Sequence, residues 1–284
     1  MSLLLLDPFA ATFVQRAFLG GALVAIVCGV VGTWVVLRGM AFLGEAMAHG
    51  MLPGVAVATL TGFPPLVGAA LSAAAMSLGV GALQRRGRLS ADTSIGLLFV
   101  ASLSLGVIVI SASRSFATDA SAILFGDILA IEPADIVVLA VAVAVTLLVA
   151  AAGHRSFVAL TVDPRQAQLL GLRPRLAHVV LVGLVTLAVV SAYQAVGSLL
   201  VVGMLLGPAV AASAWTRRIV PTMVLAAGIG VVSVGAGLLL SWHLGTAAGA
   251  TVAFTAICSG AVSTGIRALG RAARVPVPPL ERTA

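Results

Sequence analysis

The sequence predicts an all-α fold: a polytopic transmembrane helical bundle of eight or nine spans, some of them broken, with a short coupling helix on the cytoplasmic side. Three observations carry this. Of 284 residues, 61% are hydrophobic and 9% charged, against about 25% charged in an ordinary soluble domain, and the mean hydropathy is +1.18. Apolar windows long enough to cross ~30 Å of hydrocarbon recur along the chain. The arginines fall between those windows rather than inside them. So few charged groups cannot cover the surface of a water-soluble globule of this size.

The windows run approximately over 17–37, 39–61, 65–83, 94–112, 134–152, 177–194, 196–214, 221–241 and 247–266. Arg85, Arg86 and Arg88 occupy one connection, Arg155, Arg165, Arg173 and Arg175 a second, Arg217 and Arg218 a third, and Arg267, Arg271, Arg274 and Arg282 the tail. The positive-inside rule turns all of these to the cytoplasm. The turns near Tyr193 and His243 and the Phe63-Pro64 corner then lie outside, as does the acidic connection with Asp119, Asp127 and Glu132. Nine crossings put the N-terminus outside; a broken second window, or an interfacial first segment, makes the count eight and moves it inside. The first residues lack a basic n-region and a small-residue cleavage site, so no removable signal peptide is expected. Residues 1–270 read as one membrane domain and 271–284 as a flexible cytoplasmic tail. The +7 charge is accounted for by topology, and no nucleic-acid partner is implied.

All 16 basic residues are arginine. Without lysine there is no Walker A loop, whose lysine holds nucleotide phosphates, and no lysine Schiff base. Cys28 and Cys258 lie far apart in apolar runs and read as small buried hydrophobes.

Most of the 31 glycines read as helix-packing residues, with Gly50/Gly54, Gly203/Gly207 and Gly245/Gly249 in small-xxx-small spacing. Pro53 and Pro208 say more. A proline inside an apolar span removes a backbone hydrogen bond and needs protein or a water-filled cavity beside it, which makes both candidates for shaping a pathway.

Ionisable groups inside spans cost a few kcal/mol each on insertion scales. Away from the window ends, the deep ones are Glu45 and His49. Four residues apart, they stack on one helical face with β-carbons ~6 Å apart, so one divalent cation can touch both. Counted from Arg38 at ~1.5 Å per residue, His49 lies ~16 Å into the membrane. A carboxylate beside a neutral imidazole suits Zn²⁺, Mn²⁺ or Fe²⁺; the alternative is a hydrogen-bonded pair that only ties helices together. The arrangement is not H-E-x-x-H, so intramembrane proteolysis is disfavoured. Asp127 and His243, on the outer side, are candidate gate residues. In "DPRQAQLLGL", Asp163 is a suitable N-cap, Pro164 a first helical residue and Gly171 a stop. Asp163, Ala167 and Gly171 give this helix a small face suited to docking a separate motor subunit.

Residues 37–58, "LRGMAFLGEAMAHGMLPGVAVA", resemble the early hallmark of the membrane-spanning permeases of ATP-binding-cassette importers for zinc and manganese. "LFGDILAI" from Leu124, "DPRQAQLLGL" from Asp163 and "VGSLLVVGMLLGPAVAA" from Val196 follow in the family's order; "GTAAGATVA" from Gly245 matches its last span, with Ala248 where proline is usual. The resemblance implies Glu45 and His49 as transmembrane ligands of a transported ion and no permanently bound cofactor. It implies the Asp163–Gly171 helix as the docking point for a cytoplasmic ATP-binding subunit. It also implies a second permease copy, an extracytoplasmic metal-binding protein that delivers the ion, and the cytoplasmic membrane of a prokaryote. A secondary transporter driven by an ion gradient is the rival reading; it ordinarily needs several internal carboxylates, and Glu45 is the only deep acid.

Overall fold

In the computed structural model, described over residues 7–85, 90–111, 128–162, 168 and 171–272, all regular structure is helical. After a short 3-10 turn (Asp7–Ala10) the helices are α1 (Thr12–Leu37), α2 (Ala41–Gly50), α3 (Leu52–Thr61), α4 (Pro65–Arg85), α5 (Ala91–Ser111), α6 (Pro133–Val162), α7 (Pro174–Trp215), α8 (Ile219–Leu244) and α9 (Ala248–Ala272). Proline opens α4, α6 and α7, where its missing N–H would be unpaired in any case. Ser90 caps α5 by accepting a hydrogen bond from the Thr93 N–H at 3.1 Å. The Glu132 N–H donates to the Asp135 carboxylate at 3.0 Å ahead of α6, which is half of a capping box.

Among the described residues, eight stretches are long and apolar enough to cross a membrane, α2 and α3 together counting as one of them. The second window is therefore broken, yet its two halves together are long enough to cross. The break falls between Gly50 and Leu52 because Pro53 has no N–H for the preceding turn. One carbonyl at the break is recovered from outside the helix: the Ser72 hydroxyl of α4 donates to the Gly50 C=O at 2.7 Å. Ser72→Ala strands that carbonyl in apolar surroundings, and we expect a loss of about 1–3 kcal/mol, read as a lower midpoint in a thermal scan of the purified protein.

A shorter apolar stretch, Leu200–Trp215, stands apart from these eight. Straight, the 42 residues of α7 would reach ~63 Å, twice the hydrocarbon thickness. The helix instead breaks at Gly197 (φ 75°, ψ 164°), a left-handed φ that only glycine adopts freely. Its first arm, α7a (Pro174–Tyr193), starts at the arginine-rich face, where one cleft holds His178 together with Gln84 at the end of α4. Its second arm, α7b (Leu200–Trp215), returns to that face: Leu205 lies against Gly32, Ala209 and Ala212 pack with Val36, and the Thr216 and Thr222 hydroxyls share a hydrogen bond of 2.6 Å. The turn expected near Tyr193 thus comes four residues later. Gly197→Val forces a β-branched residue to positive φ, and a loss of about 1–3 kcal/mol is expected, measured against Gly183→Ala, whose added Cβ meets nothing within 4 Å.

Helix α1 is the core of the bundle. Fifteen of its 26 residues are buried, and Gly20, Gly21, Gly29 and Gly32 admit Ile131, Val234, Ala227 and Leu205 against its backbone. The contacts of Gly29 with Ala227 and of Gly21 with Val234 set α8 antiparallel to α1. Leu71, Leu78, Ile108 and Leu148 face outward at more than 60% exposure, as a lipid-facing surface requires. Gly245 departs from its expected packing role: it caps α8 at φ 63°, so the Gly245/Gly249 spacing does not fall on one helix.

Candidate metal site

The sequence AFLGEAMAHG makes α2 two-faced. Leu43, Gly44, Ala46, Met47, Ala48 and Gly50 are buried, and their small or flexible side chains bring neighbouring helices close, with Leu205 of α7b reaching Gly44. Glu45 and His49 occupy the remaining ridge, Glu45 exposed and His49 half-buried. Both line one open cavity of about 660 Å³. The opposite walls are α7b, through Val202, Gly203, Leu206, Gly207 and Val210, and α9, through Ala253, Phe254, Ile257, Ala261 and Thr264 among others. These recur every three or four residues, one stripe per helix. Among the described residues, Glu45 and His49 are the only polar side chains in the lining apart from the Thr264 hydroxyl.

Among the described residues no hydrogen bond joins Glu45 to His49, so the pair does not serve as a mutual clamp. His49 Nδ1 is buried without a hydrogen-bond partner, and the ring packs edge-on against Phe99 of α5, centroids 5.5 Å apart. A carboxylate and an imidazole that share a wall and leave their lone pairs unused can receive a cation. In an otherwise apolar cavity the attraction between that cation and Glu45 is screened far less than in water. Among the described residues no cluster of three or more His, Cys, Asp or Glu forms a full shell. Gly39 (φ 64°) interrupts the helix before α2, and within α2 His49 stands ~12 Å beyond Ala41 by helical rise. Gly44 meets the same Leu205 that meets Gly32, which sets Glu45 on the arginine-rich side of the middle of α1.

The other candidates disperse. Pro53 is buried and borders a separate groove between α3 and α4; the break it causes ends α2 just beyond His49. Pro208 is buried inside α7b between Gly207 and Val210, which line the cavity while it does not. His243 is exposed near the end of α8, its Nδ1 donating to the Leu239 carbonyl at 2.8 Å, and it is absent from the cavity lining. Asp127, Asp163 and Ala167 lie outside the described residues. Gly171 is described and has φ 73°, the left-handed conformation of a helix stop, with its N–H bonded to the Gln168 carbonyl at 3.0 Å. Arg38 marks the arginine-rich edge; partial burial lowers its pKa from the usual guanidinium range.

Sequence reasoning missed the cavity walls and the ring behind His49. The Gly203/Gly207 spacing was visible, but it reads as packing until α9 is placed against it. Nothing local singles out Phe99, which reaches His49 from 50 residues away.

The profile of the ABC 3 transport family matches residues 10–263. The manganese transport system membrane protein MntC of Listeria monocytogenes is 37% identical over 245 residues, covering 86% of this chain and 87% of that protein. The chelated iron transport system membrane protein YfeD of Yersinia pestis is 32% identical, covering 87% and 82%. Among solved structures, PsaBC from Streptococcus pneumoniae in complex with Fab superposes with a TM-score of 0.83 at 30% identity, covering 93% of this chain and 95% of the other.

Proposed function

We propose, for a chain that belongs to the ABC 3 transport family, the role of an importer's permease that carries Mn²⁺, and by the same chemistry Fe²⁺ or Zn²⁺, through the cavity of Glu45 and His49. The observation that carries this reading is the placement of both side chains on one cavity wall inside a span. Glu45 offsets the charge of the ion. His49 supplies the borderline nitrogen that favours transition metals over Mg²⁺ and Ca²⁺, which take oxygen shells. The relatives named for manganese and for iron support the first two of these cargoes. Two ligands leave the shell incomplete, so water or a second copy of the chain facing the open side of the cavity supplies the rest.

The energy comes from a separate cytoplasmic ATP-binding subunit, since a lysine-free chain has no Walker A loop. That subunit seats on the Asp163–Gly171 connection, and an extracytoplasmic binding protein delivers the ion near the outer residues Asp127 and His243. Cycles of ATP binding and hydrolysis alternate the access of the cavity. A gradient-driven carrier is disfavoured by family membership and by the single deep acid. The test is uptake of radioactive manganese into vesicles holding the chain with its ATP-binding subunit. We expect uptake to require hydrolysable ATP inside the partner subunit's compartment and to survive a protonophore. Uptake that continues without the ATP-binding subunit and collapses with the proton gradient would overturn the reading.

A further inference from the structure

We propose that Phe99 is a positioning residue for His49, holding the imidazole by an aromatic edge where a metal-binding histidine ordinarily has a polar partner. The inference rests on the reading of His49 as a ligand. A ligating histidine generally hands its second ring nitrogen to a carboxylate, carbonyl or water, which fixes the ring and raises its basicity. His49 lacks this among the described residues, because its Nδ1 is buried with no hydrogen-bond partner. What meets the ring is Phe99, centroids 5.5 Å apart and planes at 66°. Phe99 in turn leans on Phe42, at 6.1 Å and 57°. The Phe42 ring lies over Gly96, whose added Cβ would meet it at 3.7 Å. The file Phe42, Phe99, His49 therefore ties α2 to α5 behind the imidazole. The cavity lining includes neither phenylalanine, so Phe99 acts on an ion only through the ring it holds.

Two consequences follow from apolar backing. With Nδ1 enclosed, the ring nitrogen left to the cavity is Nε2, and its direction is set by packing. With no carboxylate behind it, the imidazole is a weaker donor than in a resident metal centre. That suits a site which must release its ion on every cycle.

The test compares Phe99→Leu and Phe99→Tyr with the natural chain, using manganese uptake in vesicles with the complete transporter and manganese titration calorimetry of the full-length chain in nanodiscs. Leucine keeps apolar bulk but loses the flat edge. We expect it to raise the half-saturating manganese concentration about three- to tenfold, the equivalent of losing one aromatic pair, with maximal rate within about twofold and a normal folded yield. Tyrosine should restore the natural value, and Phe42→Leu should give a smaller shift of the same kind. An unchanged half-saturation in Phe99→Leu, or a fall in maximal rate and folded yield alone, would overturn the proposal by making Phe99 a packing residue. His49→Ala separates the two readings: if it abolishes uptake while Phe99→Leu is silent, only the positioning role falls; if it leaves uptake untouched, the ligand reading falls and takes this one with it.

Discussion

Glu45→Gln and His49→Ala are each expected to reduce manganese uptake by more than about tenfold while the protein still folds and inserts. The reasoning starts from the environment. Glutamine keeps the shape and the hydrogen-bonding oxygen of Glu45 but removes the charge that offsets a divalent ion in a cavity lined otherwise by apolar groups and one threonine. Alanine removes the imidazole, the one nitrogen-bearing side chain among the described residues of that lining. Changes even to the partners of metal ligands typically cost about 10–100-fold in affinity, and loss of a ligand should not cost less. Folding should be spared, because Glu45 is exposed to the cavity and neither side chain has a hydrogen bond to lose among the described residues. The measurement is initial uptake rate against manganese concentration, with membrane abundance of each variant as the control. Uptake within twofold of the natural chain in both variants would remove the pair from the pathway.

How far the site could be read before the fold was known depends on which contacts are local. Glu45 and His49 are four residues apart on one helix, so their shared ridge follows from helical period alone. The break after them follows from Pro53, because a missing N–H is a covalent fact. The count from Arg38 to His49 runs straight through a short turn that the positive φ of Gly39 makes, which no local pattern announces. At Gly197 the difficulty was of another kind. An ordinary small residue in an apolar run, it shows its role only once Leu205 is seen against Gly32 and both arms of α7 are found at one face. The stripe of α7b was present as the Gly203/Gly207 spacing, but which helix it meets is a long-range matter. Phe99 belongs there too, because an aromatic in an apolar span carries no mark of the imidazole it will touch. The spans, the break and the shared ridge of Glu45 and His49 were thus legible, and the cavity that this ridge lines was not.

The largest structural effect is expected where the cavity walls lock to the core. Gly32→Val and Gly207→Val should each leave little folded protein, with destabilisation beyond about 3 kcal/mol. A Cβ at Gly32 would run into the Leu205 carbonyl oxygen, and one at Gly207 into the Ala256 carbonyl oxygen. Both obstacles are backbone atoms of helices, and a rotamer change cannot move them. Since lipid tails give helices no hydrophobic reason to associate, such close backbone approach supplies much of what holds the bundle together. Relief would require α7b to withdraw from α1 or from α9, and α7b with α9 forms two of the three walls around Glu45 and His49. The control is Gly228→Ala on α8, whose added Cβ meets nothing within 4 Å; helix propensity there favours alanine by about 1 kcal/mol, so its stability should hold or rise. Monodisperse yield in detergent and the midpoint of a thermal scan read both outcomes. A well-folded Gly207→Val protein with normal uptake would mean that α7b and α9 do not meet as closely as Gly207 and Ala256 do here, and the cavity would lose the walls that define it.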